Sequence, residues 1–339
     1  MFEVIVYAFN AIMPLLLLIL FGFWLGRRGV LDEPFIKKLN SFAFTWLLST
    51  QLFYSTYNIG SFSGIPWGPV IFAVLYVLFL FLVSLPSVRV LTPDDRRRSV
   101  LSQAFFRSNI AVLGIELATL LGGQEAAGVV AVLMAFVVIV NNISSVFSFT
   151  LFSPGQSASH VNVKKLLSDI EHNAMIRGLA AALLCLLIRG LLPKGADGSP
   201  IFTIRRNLPF LYTAIGNVSK AASPILLILL GARFQLSDVA SMRRELSAGV
   251  LIRIVFAPAL GFFLLWLLSG PLGLFTAPPA VFQAMLAVLA SPCATTSTVM
   301  AAEMGGDDRF AGQLVVWSSI FSMGTMFLFI VVLRGLGLM

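Results

Sequence analysis

Residues 108–125 read SNIAVLGIELATLLGGQE and residues 291–308 read SPCATTSTVMAAEMGGDD. At one constant offset Ser108 meets Ser291, Ala118 meets Ala301, Gly122-Gly123 meets Gly305-Gly306, and Glu125 meets Asp308. Matches of small residues this few can arise by chance, so their weight depends on where the two stretches sit in the chain. Each is an apolar run with polar groups at mid-length. The second has Pro292 followed by Cys293, Ala294, Thr295, Thr296, Ser297 and Thr298. Proline removes one helical hydrogen bond and clashes with the preceding turn, and hydroxyls can satisfy the opened backbone or a ligand. A kink healed by hydroxyls bonding back to their own helix is the plain alternative.

The 339 residues around these stretches are 58% hydrophobic and 11% charged, with a mean hydropathy of +0.94; a soluble domain carries about 25% charge. Ten apolar runs have membrane-spanning length: 4–25, 39–57, 70–91, 100–121, 126–152, 174–192, 210–230, 248–268, 280–300 and 310–333. The reading is an all-α polytopic membrane protein with ten transmembrane helices. The runs are too continuously apolar for an outer-membrane barrel, and an open sheet in lipid would leave backbone groups unpaired. Ten spans of about 20 residues leave short connections and no room for a separate soluble domain. The first run lacks a basic leader and a small-residue cleavage site, so it reads as a retained helix.

Lys and Arg set the orientation. With the N-terminus outside, the inner connections carry fourteen of them, from Arg27 to Arg309, and the outer ones carry five: Arg189, Lys194, Arg205, Arg206 and Arg334. Both termini are therefore expected outside, in the cell (cytoplasmic) membrane. The longest polar stretch, residues 153–172 (SPGQSASHVNVKKLLSDIEH), becomes a cytoplasmic linker loop between a first five-helix repeat, 1–152, and a second, 173–339. An odd number of spans per half inverts one half relative to the other, as in inverted-repeat transporters. The two quoted stretches are then helices 4 and 9, one per half.

The net charge of +8 belongs to this orientation signal and not to a nucleic-acid surface. Cys185 and Cys293 sit in apolar runs with no CxxC and no metal-type pairing with His160 or His172, which argues against a disulfide framework and a zinc site. No phosphate-binding GxxxxGK[ST], GxGxxG after a strand, HExxH or GxSxG is present, so no enzyme and no cofactor is expected. A coupling ion would be H+ or Na+.

Transport chemistry needs polar groups near the bilayer midplane where helix backbone is broken. In helix 9, Pro292, Thr295, Thr296 and Ser297 are the candidate substrate ligands. Helix 4 adds Asn109, whose amide can donate to a carboxylate, with Arg107 and Glu116. A carboxylate at mid-helix costs about 2.5–3.5 kcal/mol to insert, which makes Glu116 a functional candidate by default. Its spacing from Arg107 is about 13 Å along a continuous helix, too far for a direct pair. Lys220, in helix 7, would pair with a carboxylate, attract an anion or snorkel to an interface. Gln51 in helix 2, near Thr45, Ser49 and Thr50, would face the pocket. Arg177 and Arg253 lie near helix ends, where snorkelling is the natural reading, and Gly22 with Gly26 reads as a packing pair.

Four stretches together resemble the auxin efflux carrier family, which includes bacterial malate, malonate and oxalate permease-like proteins and the plant auxin carriers. They are LLLILFGFWLGRRGVLDEPFIKKLNSFAFTWLL (15–48), FRSNIAVLGIELA (106–118), AASPILLILLGARF (221–234) and LASPCATTSTVMAAEMGGD (289–307). The resemblance implies two inverted five-helix repeats, interrupted helices 4 and 9 crossing at the midplane, and a transport unit that moves against a scaffold. It also implies small organic anions as substrates, of the malate or malonate type or auxin-like. A homodimer is compatible with it. The chain departs from the family at Ser49 and Glu116, where proline is often found. Glu116 beside an anion site would repel unless protonated, which suggests proton coupling. An amine or cation exporter using Glu116, and a membrane sensor without turnover, are the alternatives.

Overall fold

The computed structural model describes residues 2–58, 66–152, 174–193, 200–232 and 240–339, whose regular structure is helical, without a strand. The expected linker 153–172 lies outside the described residues. The first half contains α1 (Phe2–Arg27), α2 (Glu33–Phe42), a π turn (Ala43–Leu47), α3 (Leu48–Tyr57), α4 (Trp67–Leu91), α5 (Asp95–Phe106) and α6 (Ile110–Leu151). The second contains α7 (Ala174–Leu191), the short α8 (Ile204–Asn207), α9 (Pro209–Ala232), α10 (Arg243–Leu251), a π turn (Ile252–Phe256), α11 (Ala257–Ser269), α12 (Pro279–Leu289), α13 (Thr296–Glu303) and α14 (Asp308–Gly335). Among the described residues, five segments are long and apolar enough to cross a membrane: Trp67–Leu91, Ile110–Leu151, Pro209–Ala232, Arg243–Ser269 and Asp308–Gly335. Met13–Arg27, Ala180–Leu191 and Pro279–Leu289 are shorter apolar helices. The chain is a helical membrane protein.

Local chemistry explains the joints. Gly29, at a φ of 70°, ends α1, and the Asp32 carboxylate caps α2 by accepting from the Phe35 N–H at 2.9 Å. The long α6 is a hairpin of two segments. Gly122 and Gly123 leave helical geometry inside it, Gly123 at φ 63° and ψ −150°, a region open to glycine. A Cβ on Gly114 would lie 3.4 Å from Met134 Sδ and 3.5 Å from Val130 Cγ2. In a straight helix those positions are about 24 Å or more apart, so the two segments run back along each other. The matching pair Gly305-Gly306 also turns the chain: Gly305 has a φ of 75°, and Asp307 caps α14 through the Phe310 N–H at 2.9 Å.

Two groups of helices emerge from the packing. In the first, α1 lies along α9, and α3 lies along α7 and α9. Glycine permits backbone-to-backbone approach here. A Cβ on Gly22 would run into the Ile228 carbonyl, one on Gly231 into the Ile19 carbonyl, and one on Gly178 into the Ser49 carbonyl. The packing role expected for Gly22 and Gly26 is what the structure shows. In the second group α12 packs along α6, α4 along α5 and α6, and α13 and α10 against α14. The groups meet where α1 touches α14 and α6, and where α3 and α9 touch α6. One cluster of buried apolar side chains runs through both.

Candidate functional site

The run expected as helix 9, 280–300, is interrupted between α12 and α13, and the run expected as helix 4, 100–121, between α5 and α6. At the first break, Pro292 cannot continue α12 and pushes the residue before it away from helical geometry. At the second there is no proline. Arg107 is extended (φ −90°, ψ 90°), and the lost helical bonds reappear across the gap. The Asn109 N–H donates to the Pro292 carbonyl at 2.8 Å, and the Ala294 N–H donates to the Arg107 carbonyl at 3.2 Å. Ser108 and Cys293 thus form an isolated antiparallel bridge. The break between α5 and α6 thus has no proline of its own and is hydrogen-bonded to the break at Pro292. It comes seven residues before Glu116, the position at which the family resemblance implies a proline.

Each break exposes helix ends of opposite polarity. N-termini carry about half a positive charge and C-termini about half a negative one. The N-termini of α6 and α13 have no side-chain cap, and beside them lies Arg107, only 5% exposed. Its Nη1 donates to Ser145 Oγ at 2.7 Å and Gln103 Oε1 at 3.3 Å, and its Nη2 donates to Asn142 Oδ1 and Thr296 Oγ1, both at 3.0 Å. Each of these partners is neutral, and no carboxylate pairs with Arg107 among the described residues. A buried cation without an anion is costly, because the desolvation penalty is several kcal/mol per ion.

A cavity of about 80 Å³ opens against this guanidinium. Arg107, Ser108, Asn109, Asn141, Asn142 and Thr296 supply its polar wall, and Phe44, from the first π turn, closes an apolar side. Ser108 Oγ, Asn109 Nδ2 and Asn141 Oδ1 are buried there without a hydrogen-bond partner among the described residues, as are the nearby Ser291 and Ser297 hydroxyls. Buried polar atoms are normally paired, so a concentration of unpaired ones marks a place built for a polar ligand or water.

The C-terminal ends lie on the other face of the crossing, and Arg253 occupies them. It is 1% exposed; Nη1 donates to the Phe105 carbonyl at 3.2 Å and Nη2 to the Leu289 carbonyl. Snorkelling, the reading from its position near a helix end, is therefore corrected. The π turn Ile252–Phe256 points the side chain into the protein, and two carbonyls hold it there.

The structure brings Arg107, Asn109 and Thr296 together at the cavity. Pro292 contributes its carbonyl to the bridge, Thr295 is the residue just before α13, and Ser297 is buried in the first turn of α13 outside the cavity wall. Gln51 is buried elsewhere, donating to Ser223 Oγ at 2.8 Å and tying α3 to α9. Lys220 is exposed on α9, and Glu116 is half-buried two turns beyond Asn109, without an ion pair or hydrogen bond among the described residues. Sequence reasoning missed Asn141, Asn142 and Ser145, although an Asn-Asn pair inside an apolar helix was a visible signal.

A family model described as membrane transport protein matches residues 7–330, which include both interrupted helices and the whole crossing. A search of curated proteins returns no match. The chain belongs to the auxin efflux carrier family of membrane transport proteins.

Proposed function

We propose that the protein is a secondary active carrier of small organic anions in the cytoplasmic membrane, working by alternating access with the crossing as its binding site. The observation that carries this reading is Arg107, a buried cation whose partners among the described residues are all neutral, beside two uncapped helix N-termini. With about half a charge from each helix end, roughly two positive charges face a cavity that no carboxylate lines among the described residues. Chemistry of this kind selects an anion. The volume of about 80 Å³ holds a carboxylate group with little more than a water or two. The remainder of a malonate-like, malate-like or auxin-like substrate would extend past Phe44, toward the meeting of the two helix groups.

The first group, packed through glycine, has the rigidity of a scaffold, and the second carries the whole crossing. Movement of the second against the first would expose the cavity to either side. The paired breaks and paired Gly-Gly turns support the inverted-repeat reading, and the charge count supports both termini outside. Glu116, half-buried and without a countercharge among the described residues, is the candidate proton-coupling group. The amine-export reading draws on the same Glu116, but it would set a cation against Arg107 and two positive helix ends.

Uptake and charge movement in proteoliposomes test the proposal, with malonate, malate, oxalate and indole-acetate each added with and without a pH or sodium gradient. A saturable response to one carboxylate, lost in Asn109→Ala, supports it. Silence for all anions with a response to amines overturns it.

A further inference from the structure

Two interrupted helices place two C-termini at one point, and such ends are where carriers with broken helices coordinate a coupling cation. Here the Phe105 and Leu289 carbonyls, from the last turns of α5 and α12, both accept from Arg253. The residue reaches them from a third element, the π turn Ile252–Phe256, and is 1% exposed. Two half-charges from the helix ends sum to about one negative charge, which one guanidinium balances. No carboxylate pairs with Arg253 among the described residues, so backbone dipoles are its counterion. Arginine stays protonated at any working pH, and it cannot dissociate and be released on one side of a membrane as an ion can.

We propose that Arg253 is a built-in cation that permanently fills the coupling-ion position between the two helix C-termini, making the protein independent of sodium. The consequence for transport rests on the carrier reading above; occupancy of the position does not, and can be tested without transport. The residue is a positioning and specificity-determining group, since it holds the two half-helices at the crossing without touching the anion cavity.

Thermal unfolding of the purified protein, in NaCl, LiCl, KCl or choline chloride at equal ionic strength, reads occupancy directly. Wild type should unfold at the same temperature in all four salts. Arg253→Ala should unfold several degrees lower and recover with millimolar methylguanidinium or with sodium, but not with choline. A sodium-specific rise in wild type overturns the proposal, as does an Arg253→Ala protein that equals wild type or responds to none of these cations. If Arg253→Ala does not fold, Arg253→Lys, which keeps one charge, should fold and show no sodium response; a sodium response there overturns the proposal. In proteoliposomes, anion uptake by wild type should be equal in sodium and in choline. Uptake that collapses in choline counts against Arg253, whereas no uptake of any anion counts against the carrier reading and leaves the unfolding result standing.

Discussion

At the residue scale, Arg107 differs from the chain's other well-held arginines. Arg97 meets the Asp307 carboxylate at 3.1 Å and Arg253 meets two helix C-termini, whereas Arg107 lies beside two helix N-termini of its own sign. Because Arg107 pays desolvation without an ion pair, Arg107→Gln should fold as stably as wild type, or more so, while uptake falls. A hydrogen bond to a charged group contributes about 1.5–3 kcal/mol, so kcat/KM for the anion should drop roughly 10- to 150-fold. Uptake and thermal unfolding, measured side by side, check this, and a loss of both together would assign Arg107 a structural role. Glu116→Gln should remove the pH dependence of uptake while leaving uptake itself measurable, and an unchanged pH profile would discount Glu116 as the coupling group. Arg107, Asn109 and Thr296 were legible in the sequence because polar side chains in apolar runs are conspicuous. The role of Arg253 was not, since distance from a helix end gives depth along the axis but not the face on which a side chain lies.

At the element scale, the two breaks depend on each other. Pro292→Ala would allow α12 to continue toward α13, and the Asn109 N–H would lose the carbonyl that holds helix 4 open. The expected outcome is a folded protein with at least a tenfold loss of uptake, since misplacing site groups by about 1 Å can cost 100-fold. Measuring uptake in Pro292→Ala against Pro224→Ala, in the uninterrupted α9, separates the crossing from general loss of proline. The run boundaries drawn from hydropathy, 100–121 and 126–152, fall on either side of the turn at Gly122 and Gly123, so the hairpin was legible from the interruption in hydropathy. The break at 107–109 was not, because it contains no proline or glycine. In the fold, its Asn109 N–H is taken up by the Pro292 carbonyl of the second broken helix at 2.8 Å.

At the scale of the whole molecule, the proposed motion is a displacement of one helix group against the other. Cysteines placed at Tyr7 in α1 and Arg334 in α14, whose side chains stack at 3.7 Å across the groups, and joined by a short bifunctional reagent, should abolish uptake. The same reagent across Gln51 and Ser223, both in the first group, should leave uptake intact. Both pairs need a background in which Cys185 and Cys293 are replaced. Close packing of the first group gives a further expectation. Gly22→Leu would force α1 off α9, where overpacking costs about 1–3 kcal/mol or more, and thermal unfolding should fall accordingly.

The class of the protein, its helices and the residues that stand out as polar in apolar surroundings were determined by the sequence alone. Hydropathy and length are local properties, and a bilayer leaves few backbone solutions to a chain this apolar. Tertiary structure decided the rest: that two helix breaks, one without a proline, bond to each other, that Arg107 faces a cavity while Gln51 and Lys220 lie away from it, and that Arg253 holds two helix ends. These features arise from hydrogen bonds and electrostatic contacts between segments far apart in the chain, and no local pattern encodes the orientation of one helix toward another.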